Sequence, residues 1–114
     1  MTLTEAKRLL KRTAELGERI RATQDAKEDL STDWLPEISE VADESIKEMR
    51  REVVEVVKTM LKLPPDECRV LIARYVKGTP YAMLARDDLL AGMTQRTAER
   101  VLARATERFA EEWR

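Results

Sequence analysis

The sequence contains no histidine and only one cysteine, Cys68. A lone cysteine cannot form an internal disulfide. Without histidine there is also no Cys/His cluster for zinc and no histidine base for a catalytic triad. The acid pairs Asp87–Asp88 and Glu111–Glu112 are adjacent in sequence, so on a helix their carboxylates point in different directions and do not form a general acid–base pair. We therefore expect a protein that is not an enzyme and uses neither metal nor cofactor.

Residues that break helices or favour strands are also scarce. The chain has three glycines, four prolines and 4% aromatic residues, against 38% charged residues. This composition predicts an all-α fold of long helices with short connections. The length of 114 residues suits one compact unit, or one small unit with a helical extension.

Long apolar runs are missing too. No stretch of about 18 apolar residues could span a bilayer, and the charged residues Glu5, Lys7 and Arg8 interrupt the region where a signal peptide has its apolar core. The expectation is a cytoplasmic protein without a membrane partner.

Charge is unevenly distributed along the chain, although the formal net charge is only −1. Residues 1–61 hold 11 Lys/Arg and 14 Asp/Glu, whereas residues 62–114 hold 10 Lys/Arg and 8 Asp/Glu. Every basic residue after Lys77 is an arginine. The C-terminal half is thus the better candidate for contact with phosphates or base edges.

The first half of the chain, residues 1–62, is predicted to form a helical hairpin or a coiled-coil arm. Apolar spacing predicts a helix over residues 4–29, then a break at residues 31–36, where Trp34 and Leu35 are expected to pack on a neighbouring helix. A second helix over residues 37–62 carries a heptad seam. This predicted oligomerisation seam consists of Ile46, Met49, Val53, Val56 and Met60. An antiparallel hairpin and a homodimer would both bury it, and both interpretations stay open.

The second half, residues 63–114, is predicted to hold three further helices. One begins at Pro65 and ends at Lys77-Gly78. The next begins at Thr79-Pro80, with Thr79 as its cap, and its inner face is expected to be Tyr81, Leu84, Ala85 and Leu89. After a turn at Gly92, Thr94 is placed to cap a last helix that begins at Gln95. The inner face expected for this last helix is Ala98, Val101, Leu102, Ala105 and Phe109.

Three such helices are typical of a helix-turn-helix unit, in which the last helix enters the DNA major groove by its N-terminal residues. Glutamine can pair with adenine and arginine with guanine, while threonine hydroxyls at a helix start suit phosphates. The alternative is that Arg96, Arg100, Arg104 and Arg108 form only a solvated stripe that pairs with Glu99, Glu107 and Glu111.

Residues 65–85, together with Gly92-Met93-Thr94-Gln95-Arg96-Thr97-Ala98-Glu99-Arg100-Val101, resemble region four of sigma factors and related phage transcriptional regulators. The match covers about residues 63–112, and the preceding helical half is similar in layout to phage late-gene activators. The resemblance implies promoter binding in a bacterial host cytoplasm, with contact to RNA polymerase. It assigns base reading to Gln95, Arg96, Thr97 and Arg100. It places Thr79, Tyr81 and Thr94 on the DNA backbone, and we add Arg104, one turn further along the last helix.

One departure from the family lies between Ala85 and Gly92, where the chain has about three additional residues. The helix before the turn, or the turn itself, is therefore expected to be longer. Asp87 and Asp88 would bring negative charge near the DNA phosphates, which would weaken binding or redirect the module to a protein partner.

Two functions of different classes follow. The leading hypothesis is a sequence-specific regulator that binds double-stranded DNA as a homodimer or with RNA polymerase. The alternative is a helical interaction or assembly module, including one like a small terminase subunit, that binds no promoter. The sequence leaves open whether the hairpin packs on the helix-turn-helix unit.

Overall fold

The computed structural model of the chain describes residues 1–30 and 36–113. Within them every regular segment is helical and no strand occurs, which confirms the all-α prediction. The α-helices are α1 (Leu3–Leu30), α2 (Pro36–Met60), α3 (Pro65–Leu71) and α4 (Gln95–Glu112). A π-helical turn (Ile72–Val76) continues α3, and two 3₁₀-helices (Tyr81–Arg86 and Asp88–Leu90) lead to α4. Trp34 and Leu35 lie outside the described residues.

Helices α1 and α2 form an antiparallel hairpin. Arg12 in the first half of α1 pairs with Glu52 in the second half of α2 at 3.2 Å, and Lys27 near the end of α1 pairs with Asp43 in the first half of α2 at 2.6 Å. Along the heptad seam Ile46, Val56 and Met60 are buried, and Met49 and Val53 are half-buried. The seam is therefore covered within one chain, as the hairpin interpretation requires.

The hairpin packs on the second half of the chain, which answers the question left open by the sequence. Ala6 and Leu10 of α1 and Met60 of α2 belong to the same apolar cluster as Leu71 and Phe109. The inner face expected for α4 is confirmed, with Ala98, Val101, Leu102, Ala105 and Phe109 all buried. Both halves thus share one core, to which α1, α2, α3 and α4 all contribute.

The end of the helical run from α3 follows the sequence prediction. Gly78 has a φ of +79°, a conformation that glycine adopts without the clash of a Cβ atom. The Thr79 N–H then donates to the Ala73 carbonyl at 2.9 Å and satisfies one of the free carbonyl groups at the helix end. Cys68 is buried and free.

The helix predicted to follow Thr79 is not a continuous α-helix. It divides into two 3₁₀-helices at Asp87, whose backbone is extended with φ −75° and ψ 133°. A 3₁₀-helix has three residues per turn, so the inner face shifts. Leu84 and Leu90 are buried, whereas Leu89 is 37% exposed and Tyr81 47%. Residues 87–91 therefore form a break and a second short helix and do not extend a single helix.

Candidate nucleic-acid interface

The start of α4 is held by a capped turn. Gly92 has a φ of +91°, and the Met93 N–H donates to the Leu90 carbonyl at 2.9 Å. The Thr94 hydroxyl accepts a hydrogen bond from the Thr97 N–H at 3.1 Å, so the predicted cap is confirmed. The remaining N–H groups of a first helical turn have no intrahelical acceptor and suit an anion.

Gln95 fastens this helix start to the preceding 3₁₀-helix. Its Nε2 donates to the Tyr81 carbonyl at 2.7 Å, and its Oε1 accepts from the Ala85 N–H at 3.0 Å. Both ends of the amide are therefore engaged inside the protein. This differs from the base-reading role expected for Gln95, because a bidentate contact with adenine needs the same two groups free.

The Asp87 side chain bonds to residues on both sides of it in the segment between α3 and α4. Its buried carboxylate accepts hydrogen bonds from the Thr79 hydroxyl at 2.6 Å and the Leu89 N–H at 2.9 Å, and Lys77 Nζ lies 2.9 Å from Oδ1. The Thr79 hydrogen bond, followed by that from Lys77, lowers the pKa of Asp87. These three partners of the Asp87 carboxylate explain why the helical segment before α4 breaks at this residue.

Two expectations from the sequence change as a result. The Asp87 side chain is only 3% exposed and neutralised by Lys77, so it does not face an incoming phosphate, whereas its neighbour Asp88 is exposed. Thr79 does not cap the next helix, since Pro80 holds that position without a side-chain bond. Its hydroxyl is committed to Asp87 and is not free for a DNA phosphate.

Arg104 and Arg108 join α4 to the first turn of α3. Arg104 Nη2 lies 3.1 Å from Asp66 Oδ2, and Arg108 Nε lies 3.0 Å from Oε1 of the buried Glu67. Glu67 Oε1 has no hydrogen bond of good geometry, so its contact with Arg108 is an ion pair only. Arg104, expected on the DNA backbone, thus has a partner inside the protein. The arginine stripe is not the simple pairing with acids of its own helix that the alternative predicted.

Arg96 and Arg100 remain exposed at the start of α4. They lie four residues apart and so on one face of the helix, and neither makes an ion pair with any residue that the structure describes. Arg86, which ends the adjoining 3₁₀-helix, is exposed and unpaired in the same way. Of the residues expected to read bases, these two arginines are the ones with free side chains.

The remaining two candidates have partly engaged side chains. The Thr97 hydroxyl lies 3.0 Å from that of Thr94. Tyr81 is exposed, and the pKa of its hydroxyl is raised by loss of hydration and by the negative charge of the Glu99 carboxylate. Among the predicted residues, the structure therefore gathers Thr94, Arg96, Thr97 and Arg100 on the exposed start of one helix. Gln95 and Arg104 hold that helix in place, and the Thr79 hydroxyl bonds to Asp87 in the preceding segment.

In residues 1–30 and 36–113 no cluster of three or more His, Cys, Asp or Glu side chains could hold a metal ion. None of the helices there combines the length and apolar character needed to cross a membrane. No protein-family model, curated protein or solved structure matched the chain.

Proposed function

We propose that the chain is a transcriptional regulator that binds double-stranded DNA with the start of α4 in the major groove. The observation that carries this proposal is the pair Arg96 and Arg100, exposed and without ion pairs on a capped helix start. Arg104 and Arg108 on the same helix are engaged by α3. Free guanidinium groups on a rigidly positioned helix start are suited to guanine O6 and N7.

The neighbouring residues take supporting roles in this proposal. The free N–H groups of the first turn bind a phosphate, and Thr94, whose hydroxyl bonds to Thr97, caps that turn. Gln95 acts as a positioning residue, because its amide joins α4 to the Tyr81–Arg86 segment. The resemblance of residues 92–101 to the recognition helix of sigma region four supports the same placement.

Homodimer formation and contact with RNA polymerase belong to the proposal as well. Because Ile46, Val56 and Met60 are buried within one chain, a dimer on DNA would use a different surface from the heptad seam. The apolar side chains of Tyr81, Met83 and Leu89 are exposed in the segment that precedes α4. They offer a contact for the polymerase next to the DNA-binding helix, since exposed apolar groups favour protein partners.

The same exposed apolar group favours the second candidate function, a helical interaction or assembly module. This module would use the Tyr81–Leu90 segment to bind another protein and would not bind DNA. The two candidates differ in whether the arginines of α4 or the apolar residues before it are needed for activity.

The test is fluorescence-anisotropy binding to a pool of duplexes from the source genome at two salt concentrations. The variant Arg96→Ala/Arg100→Ala is compared with Arg8→Ala/Arg19→Ala, which removes the same charge from exposed positions of α1. Each lost base contact should cost about 1–3 kcal/mol at particular base pairs, and the α1 variant should retain selection.

The variant Gln95→Ala separates positioning from base reading. It should lower the melting temperature and weaken binding to all duplexes alike, whereas a base-reading glutamine would lose discrimination at one base pair only. A folded wild-type protein that selects no duplex would contradict the regulator proposal and favour the assembly module.

A further inference from the structure

The side of α2 that borders the open groove next to α1 carries a basic surface. Its members, here called the α2 basic face, are the exposed residues Lys47, Arg50, Arg51, Val54 and Lys58. At about 100° per residue they fall within an arc of about 100°, and no acidic residue of α2 between positions 47 and 58 lies in that arc. With a rise of about 1.5 Å per residue, the face is about 16 Å long.

The α2 basic face borders a broad open groove of about 1150 Å³ between α1 and α2. The acidic residues along this groove are Asp25, Glu28, Asp43 and Glu55. Asp43 pairs with Lys27, and Glu55 with Lys58 at 3.1 Å. Because Lys58 and Glu55 are both well over half exposed, that pair contributes little and leaves Lys58 available.

Three cations of the face have no such partner. Lys47, Arg50 and Arg51 make no ion pair with any residue in the described part of the chain. Adjacent like charges repel each other, and an anionic partner would relieve that repulsion. Since the whole chain has a net charge of −1, any attraction for a polyanion has to come from local surfaces of this kind.

We propose that the α2 basic face binds the phosphate backbone of double-stranded DNA as a second contact surface, separate from α4. The proposal rests on the proposed function, because both surfaces share DNA as the ligand. Along one DNA strand there is one phosphate charge about every 3.4 Å. A face about 16 Å long can therefore contact several phosphates. Such contacts strengthen binding without reading sequence.

Charge and composition favour DNA over a lipid surface. Helices that lie on membranes bury a broad apolar side, and Val54 is the single apolar residue within the α2 basic face. The seam side of α2 is already buried within the chain, and a row of cations matches a linear array of phosphates.

The experiment compares the variant Lys47→Gln/Arg50→Gln/Arg51→Gln with the control Arg8→Gln/Lys11→Gln/Arg19→Gln. Both remove three positive charges from exposed helix positions, but the α1 cations are interspersed with Glu15 and Glu18. Affinity for a labelled duplex of mixed sequence is measured by anisotropy over a series of salt concentrations. Loss of three phosphate contacts should reduce the slope of log affinity against log salt by about 2.7, at about 0.9 per contact.

The expected result is a reduced slope for the α2 variant, with the wild-type slope in the control and unchanged preference among duplexes. A wild-type slope in the α2 variant overturns the proposal and leaves the role of α4 intact. If the wild-type protein binds no duplex, both proposals fail. Weaker binding of the variant to phosphatidylglycerol vesicles, with unchanged binding to DNA, would assign the face to a membrane instead.

The variants are designed to remain folded. Glutamine has nearly the helix propensity of lysine and arginine, and none of the three positions is buried. If circular dichroism shows that the triple variant is unfolded, the single variant Arg50→Gln replaces it in the test. Its slope of log affinity against log salt should decrease by about 0.9, and an unchanged slope overturns the proposal.

Discussion

Replacement of Asp87 by alanine tests how the segment before α4 is held. The change removes the hydrogen bonds from the Thr79 hydroxyl at 2.6 Å and the Leu89 N–H at 2.9 Å, together with the ion pair to Lys77 at 2.9 Å. These three contacts join the end of the α3 run to both 3₁₀-helices. Their loss should loosen the segment to which Gln95 fastens the start of α4.

The size of the effect follows from the type and burial of these contacts. Hydrogen bonds to a charged group contribute about 1.5–3 kcal/mol each. Lys77 is 45% exposed and Thr79 is half-buried, so both regain water in the variant and the shares of both contacts are reduced by solvent. The free energy of unfolding should fall by about 2–4 kcal/mol, which for a chain of this size lowers the melting temperature by about 8–16 °C.

The assay is thermal and urea denaturation followed by circular dichroism at neutral pH. Asp88→Ala is the matched control, because it removes the same charge from the next residue, which is exposed. Its effect should stay within about 0.5 kcal/mol. Equal melting temperatures for the two variants would refute the role assigned to Asp87.

The stabilising role of the Asp87 carboxylate can also be tested by lowering the pH. The pKa of Asp87 is lowered below its ordinary value of 3.8, first by the Thr79 hydrogen bond and then by Lys77. A lowered pKa in the folded state contributes stability above the unfolded-state value, and this contribution is lost as pH falls through the folded-state value. The difference between wild type and Asp87→Ala should therefore be constant down to about pH 4 and shrink below it. A difference that stays constant at lower pH would contradict the carboxylate's role.

Three further substitutions test the packing by denaturation. Gly17→Ala should raise the free energy of unfolding by about 0.5–1 kcal/mol, because alanine favours a helix more than glycine does. There is room for the added Cβ, which would lie 3.7 Å from the nearest atom, the Val76 carbonyl oxygen. A loss of stability would show that α1 packs too closely on this carbonyl to admit a methyl group. Gly92→Ala should lower it by about 1–2 kcal/mol, because φ is +91° although no atom lies within 4 Å of the added Cβ. A neutral result there would mean that the turn adapts. Arg108→Ala should cost about 2–3 kcal/mol by leaving the buried Glu67 without its closest cation, and less than about 1 kcal/mol in a Glu67→Gln background. Equal costs in both backgrounds would exclude the ion pair as the cause.

Much of the fold could be predicted from local pattern. The ends of the helices at Gly78 and Gly92 and the inner face of α4 were all confirmed, because turn chemistry and helical periodicity depend on neighbours within a few residues. The helix expected from Thr79 to Leu89 was wrong in type. Its pattern of apolar residues was helical, but the partners of Asp87 lie up to ten residues away and break it.

The candidate site was predicted less completely. Thr94 and the free arginines Arg96 and Arg100 lie where the sequence placed them, at the start of α4. The basic face of α2 was missed, because the charge count over residues 1–61 averages its cations with acids on other sides of the hairpin. A projection of the α2 sequence at about 100° per residue would have shown it.

The sequence by itself determined the all-α class, the turns at Gly78 and Gly92 and the apolar inner face of α4, since each depends on residues close together in the chain. Only the tertiary structure decided which polar side chains remain free. Gln95 bonds to residues 10 and 14 positions away, and Arg104 to a residue 38 positions away. Such hydrogen bonds and ion pairs form when packing of the core brings distant segments together, and no local periodicity encodes them.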